Sequence, residues 1–325
     1  MERKIVFPLT LGVFFVVAFA SPGQTVPPGY DAASFARLGV GGRALGMAGA
    51  YVAVAEGPAA GYWNPAGLSG LDAFDVEGMY TNWLGADIHF QYVCAGGRLP
   101  IGEQRPTLRL GEHPITFGLT WLSVNIADIP YWDEQGGHGT FDAWSHLVLT
   151  SMSLELSQTP GLTIGGSLKV YHDQILEGKS LGFGLDVGGL WCGDVAGVPL
   201  RLGVCTTDVG TTKIRWYGTP GEPINYVPWV IRAGAAVELW DNKLLLAASY
   251  ERGLDRSGFE RLRIGAEARL AWLALRVGRD QPFSGQPGKW AAGAGIKAGD
   301  WLEFDYTLLF GALGNSGLIA LEVSF

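Results

Sequence analysis

The chain has 325 residues, of which 48% are apolar and only 17% charged, and its formal net charge is −8. Soluble domains carry about 25% charged residues, so low charge beside 49 glycines and 12 tryptophans argues against an ordinary cytosolic enzyme. The acidic balance argues against a nucleic-acid partner, which needs a basic face.

At the N-terminus, Glu2, Arg3 and Lys4 precede an apolar run from Ile5 to Ala20 that closes on Ala18-Phe19-Ala20. A charged head, an apolar stretch and an A-x-A ending predict a secretory signal peptide over residues 1–20, cleaved after Ala20. The run is about 16 residues long and interrupted by Pro8, whereas a membrane-spanning helix needs about 20. No later apolar stretch is long enough to span, which excludes a helical membrane protein.

Residues 21–72 make a second region, rich in small residues. It contains Arg43-Ala44-Leu45-Gly46-Met47-Ala48-Gly49-Ala50-Tyr51-Val52-Ala53-Val54-Ala55, then Tyr62-Trp63-Asn64-Pro65-Ala66-Gly67-Leu68. Small side chains let the backbone pack closely against other groups. Pro65 restricts Asn64 to an extended or turn conformation, and the Asn64 amide can fix a tight bend. A structural bend is favoured over a ligand contact. The glycine spacing is a weak phosphate-loop signal, and with no strand before it and no Lys after it nucleotide binding is rejected.

Residues 73–325 read as strands of about ten residues that alternate in polarity. Arg261-Leu262-Arg263-Ile264-Gly265-Ala266-Glu267-Ala268-Arg269-Leu270 is the clearest, and Trp301-Leu302-Glu303-Phe304-Asp305-Tyr306-Thr307-Leu308 repeats it. The expected strands are 73–83, 87–98, 114–126, 142–157, 162–174, 181–192, 198–208, 228–240, 242–252, 260–271, 272–279, 288–298, 300–310 and 316–325. Short turns at Ser157–Gly161, Gly193–Gly197, Trp240–Asn242 and Lys297–Asp300 alternate with long loops at Ala127–Phe141, Asp208–Pro228, Glu251–Phe259 and Arg279–Gly288. The long Arg98–Pro114 connection breaks this alternation.

Parity alone does not say whether the apolar face points inward, as in a sandwich, or outward to lipid. Three features favour lipid. The apolar face recurs on nearly every segment. Trp83, Trp121, Trp191, Trp229, Trp240 and Trp301 fall near expected strand ends, where interfacial girdles form. The chain also ends in an amphipathic strand with a terminal Phe325. The fold class is therefore all-β: a closed antiparallel transmembrane β-barrel of about 14 strands.

The charges on the polar face then line the interior. The acids are Glu155, Asp186, Glu238, Glu267, Glu303, Asp305 and Glu322; the bases are Lys169, Arg201, Arg232, Lys243, Arg261, Arg263, Arg269 and Arg276. The two sets nearly balance. They should pair with one another, because an unpaired charge in a confined interior is costly.

The Arg43–Ala55 and Tyr62–Leu68 runs together resemble the FadL-like outer-membrane family, most closely its PorV/PorQ branch. The resemblance implies a fourteen-stranded barrel in the bacterial outer membrane, with an N-terminal hatch that includes Asn64, Pro65 and Ala66. It implies a small hydrophobic ligand or, in the PorV manner, an exported protein as cargo. Transport predicts an apolar pocket between hatch and wall near Met47, Tyr62 and Trp63, with Arg43 close by. Carriage of proteins draws on the aromatic Lys213-Ile214-Arg215-Trp216-Tyr217 loop. A soluble exported β-protein is the third possibility.

Chemistry-bearing patterns are sparse. His89, His113, His138, His146 and His172 lack metal-ligand spacing, and no nucleophile elbow is present. Asp133, Glu134 and His138 read as a solvated loop. Cys94, Cys192 and Cys205 are expected to be inert thiols, since the Asp194–Gly197 turn does not set Cys192 against Cys205. No enzyme activity, cofactor or metal is expected.

Overall fold

The computed structural model describes residues 32–71, 74–98, 109–110, 113–132, 136–255, 258, 260–283 and 287–325. The expected signal peptide, the start of the 21–72 region, Asp133 and Glu134, and most of the Arg98–Pro114 connection lie outside the described residues.

Every strand-like block becomes a strand. In order they are β1 (Phe74–Trp83), β2 (Ile88–Arg98), β3 (Arg109–Leu110), β4 (His113–Trp132), β5 (His138–Glu155), β6 (Leu162–Ile175), β7 (Gly178–Val195), β8 (Val198–Thr207) and β9 (Thr212–Tyr217). There follow β10 (Ile224–Val227), β11 (Val230–Leu239), β12 (Leu244–Gly253), β13 (Glu260–Leu270), β14 (Leu273–Pro282), β15 (Lys289–Ala298), β16 (Leu302–Gly311) and β17 (Gly314–Ser324). Fourteen of them close an antiparallel barrel; β3, β9 and β10 are short additions. The seam is β1 on β17, from Asp75 opposite Ser324 to Thr81 opposite Leu318. The seam closes the wall on itself, so each of the fourteen barrel strands is paired on both sides along the wall.

The sign of the alternation is settled by exposure. Leu262, Ile264, Phe304 and Tyr306 are 37%, 50%, 42% and 46% exposed on the outer wall, whereas Arg263 and Glu267 are 6% and 1% exposed. Charge faces in and apolar side chains face out, the reverse of a soluble β-sandwich. The lumen is not polar all round, however. From β2 to β6 the inward positions include Phe90, Leu122, Leu147, Leu149 and Tyr171, all fully buried.

Several details depart from the sequence expectations. The expected 127–141 loop is largely strand: β4 and β5 stay paired from Ile129 opposite Phe141 to Trp132 opposite His138, after a bulge. Both outer neighbours have ended by then, β2 at Ile126 and β6 at Ala143, so a two-stranded ribbon projects from the rim. The expected 208–228 loop contains the β9–β10 hairpin, and β9 pairs with the extended end of β7. Trp121 lies mid-strand in β4, opposite Val93 and Val148, and not near a strand end. Lys243 is exposed in the β11–β12 turn and not in the lumen. Glu251, shared by the expected 242–252 strand and the expected 251–259 loop, is part of β12 and almost fully buried. Cys192 opposes Arg201 and Cys205 opposes Gly188, so the two are out of register, and all three cysteines are free.

Residues 32–71 form short helical turns: Ser34–Arg37, α1 (Gly42–Gly46), α2 (Ala60–Trp63) and Pro65–Gly70. None of the helices is long and apolar enough to cross a membrane. This segment touches the inner faces of strands on all sides of the barrel. Thr307 on β16 donates to Gly42 O at 3.0 Å, Ser167 on β6 to Gly61 O at 3.1 Å, and Asn64 to Gly189 O on β7 at 3.1 Å.

Candidate functional site

The barrel brings the inward charges together in three groups. Arg276 on β14 is the centre of the first. Its Nε donates to Glu267 at 2.7 Å, its Nη2 to Glu303 at 2.7 Å, and its Nη1 to Asp305. Arg269 donates to the same Glu267 at 2.6 Å. Glu238 lies 3.7 Å from Arg201 and 3.9 Å from Arg269, at the margin of the group. Alternate residues on neighbouring strands point to one face, so each of these side chains meets its partner by register, as Glu267 does opposite Arg276.

Arg43, from α1, joins the 32–71 segment to this group. It holds Glu267 with two bonds, Nε at 2.8 Å and Nη2 at 3.0 Å, the forked geometry that suits guanidinium and carboxylate. Its Nη1 reaches Glu56, and Glu56 in turn takes Arg201 of β8 at 2.8 Å. Burial alone would raise the Glu56 carboxyl, but Arg43 and Arg201 outweigh it and hold it down at about 2. The segment is thus tied to β13 and β8 through charge-assisted bonds.

In the second group Glu251 lies between Arg232 (3.0 Å) and Arg263 (2.5 Å), while Asp280 takes Arg261 (3.3 Å) and Arg263 (3.8 Å). The Arg232 and Arg263 guanidiniums each stand 5.9 Å from the Trp63 ring centre, within cation–π range. In the third, Lys169 meets Asp186 and Asp208, both at 2.9 Å, and Tyr171 donates to Asp208 at 2.9 Å. Glu155 joins none of them; it sits half-exposed at the end of β5, 3.9 Å from Arg98.

Asn64 is fully buried and closes the bend that Pro65 starts. Its amide donates to Val52 O at 2.9 Å as well as to Gly189 O, and its Oδ1 accepts from Ala66 N–H at 3.3 Å. Trp63 Nε1 donates to Val40 O at 2.9 Å and the Tyr62 hydroxyl to Ala36 O at 2.8 Å. Burial lifts the Tyr62 phenol above its ordinary value. Met47 has no exposed surface. It rests on two strand glycines: a Cβ at Gly265 would lie 2.7 Å from Met47 Cβ, and one at Gly278 would lie 2.5 Å from Met47 O.

Met47, Tyr62 and Trp63, the expected lining of an apolar pocket, are buried, and Tyr62 and Trp63 are hydrogen-bonded to backbone carbonyls. The lumen instead holds a cavity of about 430 Å³ beside Arg43, lined by charge that includes Glu56, Arg201, Glu267, Arg276 and Glu322. Sequence reasoning missed Glu56, Glu251, Asp280 and Asp208 as partners, and it missed the inward glycines. Parity carried the signal for two of these: Gly265 shares a face with Arg263 and Glu267, and Glu251 shares one with Ser249.

No family model matches the chain, and no curated protein matches it in sequence. Solved structures do. The Pseudomonas putida toluene transporter TodX aligns with a TM-score of 0.61 at 12% identity, over 88% of this chain and 98% of that one. The CymD monoaromatic hydrocarbon channel gives 0.55 at 13% identity, over 89% and 98%. At these identities the likeness is one of fold. The chain shares with them the architecture of a closed fourteen-strand antiparallel barrel.

Proposed function

We propose that the chain conducts small hydrophobic molecules across the bacterial outer membrane, with residues 21–72 acting as a hatch that closes the lumen until it shifts. The observation that carries this is the likeness in fold to the toluene transporter and the monoaromatic hydrocarbon channel. The two-sided lumen suggests the route. Desolvating the ion pairs on β8 and β11–β16 would be costly, so a hydrocarbon is repelled from that half. The inward Phe90, Leu122, Leu147 and Leu149 offer the apolar surface it needs. The hatch covers that surface at rest, and its displacement opens a path between segment and wall. Arg43, Glu267, Glu56 and Arg201 are its ionic ties.

The Arg43–Ala55 and Tyr62–Leu68 runs favour the PorV/PorQ branch within this class. In that case the ribbon beyond the rim, with Trp132 75% exposed beside Tyr131, would contact an exported protein. Crosslinking in intact cells distinguishes the two: a captured secreted protein favours carriage, and none favours transport alone.

The test is uptake of a labelled monoaromatic hydrocarbon by liposomes containing the purified chain. Transport predicts entry above that of protein-free liposomes, and slower uptake in cells lacking the gene. Equal rates in both comparisons would remove the proposal.

A further inference from the structure

The outer wall carries a groove of about 480 Å³ beside the closing seam, floored by Gly78 of β1. Phe304 of β16 with Ile319 and Leu321 of β17 form one bank, and Val93 of β2 with Trp121 of β4 form the other. Gly78 is the reason for it. Unlike the lumen glycines, it is not crowded into being glycine: a Cβ there would have no neighbour closer than Tyr92 O at 3.9 Å. The notch is space left open on a face where every neighbouring outward position is filled. Its volume falls in the range of small-ligand sites, about 300–1,000 Å³.

Two polar features edge this apolar notch. Gln91 lines it directly opposite Tyr80, and among the described residues its amide has no hydrogen-bond partner. Toward the β1–β2 turn, the Tyr80 hydroxyl and His89 Nδ1 lie 2.9 Å apart. An unpartnered amide on a hydrocarbon-facing wall is costly, and an apolar side chain would serve a plain wall better. Its place at the edge of an open groove suits a ligand with an apolar chain and a hydrogen-bonding oxygen at that depth.

We propose that this groove seats one acyl chain of a membrane lipid, with the lipid's ester or amide linkage hydrogen-bonded to Gln91. A membrane lipid is the occupant because the groove is continuous with the outward apolar wall, where hydrocarbon chains are the neighbours and a water-soluble ligand has no access. The site is separate from the lumen and does not depend on what the lumen conducts.

The test is native mass spectrometry of the full chain released from mild detergent supplied with dipalmitoyl phosphatidylethanolamine. One lipid should stay on the wild-type barrel. Gly78→Leu, which fills the notch, and Gln91→Leu, which removes the amide, should each cut retention by about tenfold, the equivalent of about 1.4 kcal/mol. Val277→Leu, on the outer wall of β14, should leave retention unchanged. Equal retention in both groove variants, equal loss in the Val277→Leu control, or a second copy of the chain in place of lipid would overturn the proposal. If Gly78→Leu does not reach the heat-modifiable folded form, Gln91→Leu decides.

Discussion

Glu251 is the residue on which the second charge group turns. It neutralises Arg232 and Arg263 at once, and all three are almost fully buried. Removing one member of a buried set leaves uncompensated charge, which costs about 3–5 kcal/mol. Glu251→Gln should therefore lower the unfolding free energy of the detergent-solubilised barrel, read from its denaturant midpoint and slope, by that amount; a change below about 1 kcal/mol would mean water reaches the pair. Glu56 supplies the pH prediction. Its carboxyl is held at about 2 in the folded chain, below its unfolded value. The stability it contributes is complete above the ordinary carboxylate range and is lost as pH falls toward 2. Protease sensitivity of residues 32–71 should therefore rise as pH drops from about 5 toward 2, and Glu56→Gln should flatten that dependence. An unchanged profile in Glu56→Gln would assign the pH response to other groups.

At the scale of elements, the strands were legible because period-two alternation is a direct consequence of a wall with two different solvents. Parity and composition together turn the apolar positions Leu262, Ile264, Phe304 and Tyr306 outward, and they are exposed on the outer wall. Legibility failed where both faces are apolar. Leu147 and Leu149 are buried inward while Val148 and Trp144 face out, so the lumen there reads as wall on either side. It failed again at β9, where Lys213-Ile214-Arg215-Trp216 already alternates, and Ile214 is in fact buried. The turn residues Asp208–Thr211 before it masked a strand. The Arg43–Ala55 and Tyr62–Leu68 runs were legible as close-packing backbone, but the strand glycines that Met47 packs on, Gly265 and Gly278, lie more than two hundred residues away. Gly265→Val should lift Met47 off the wall and make residues 32–71 exchange amide protons faster, with β13 unchanged. Asn64→Ala should loosen the same segment by about 1–3 kcal/mol, since it leaves buried backbone carbonyls without their donor. If exchange in the segment matches wild type in both variants, the segment is not held by these contacts.

Across the whole molecule, residues 32–71 are bonded to β13, β8, β6 and β7, between a charge-lined part of the wall and one that carries an inward apolar patch among buried serines and threonines; the proposed resting state is a barrel that this segment closes. Closure would depend on ties between parts far apart in sequence: the two bonds from Arg43 to Glu267, and the bond from Arg201 to Glu56, which Arg43 also holds. The most direct measurement is ion conductance of the purified chain in a planar bilayer, comparing wild type with Arg43→Ala. Wild type should show no steady conductance, and Arg43→Ala should show frequent openings as the segment leaves the wall. A steadily conducting wild-type barrel, or a folded Arg43→Ala variant as silent as wild type, would contradict the account.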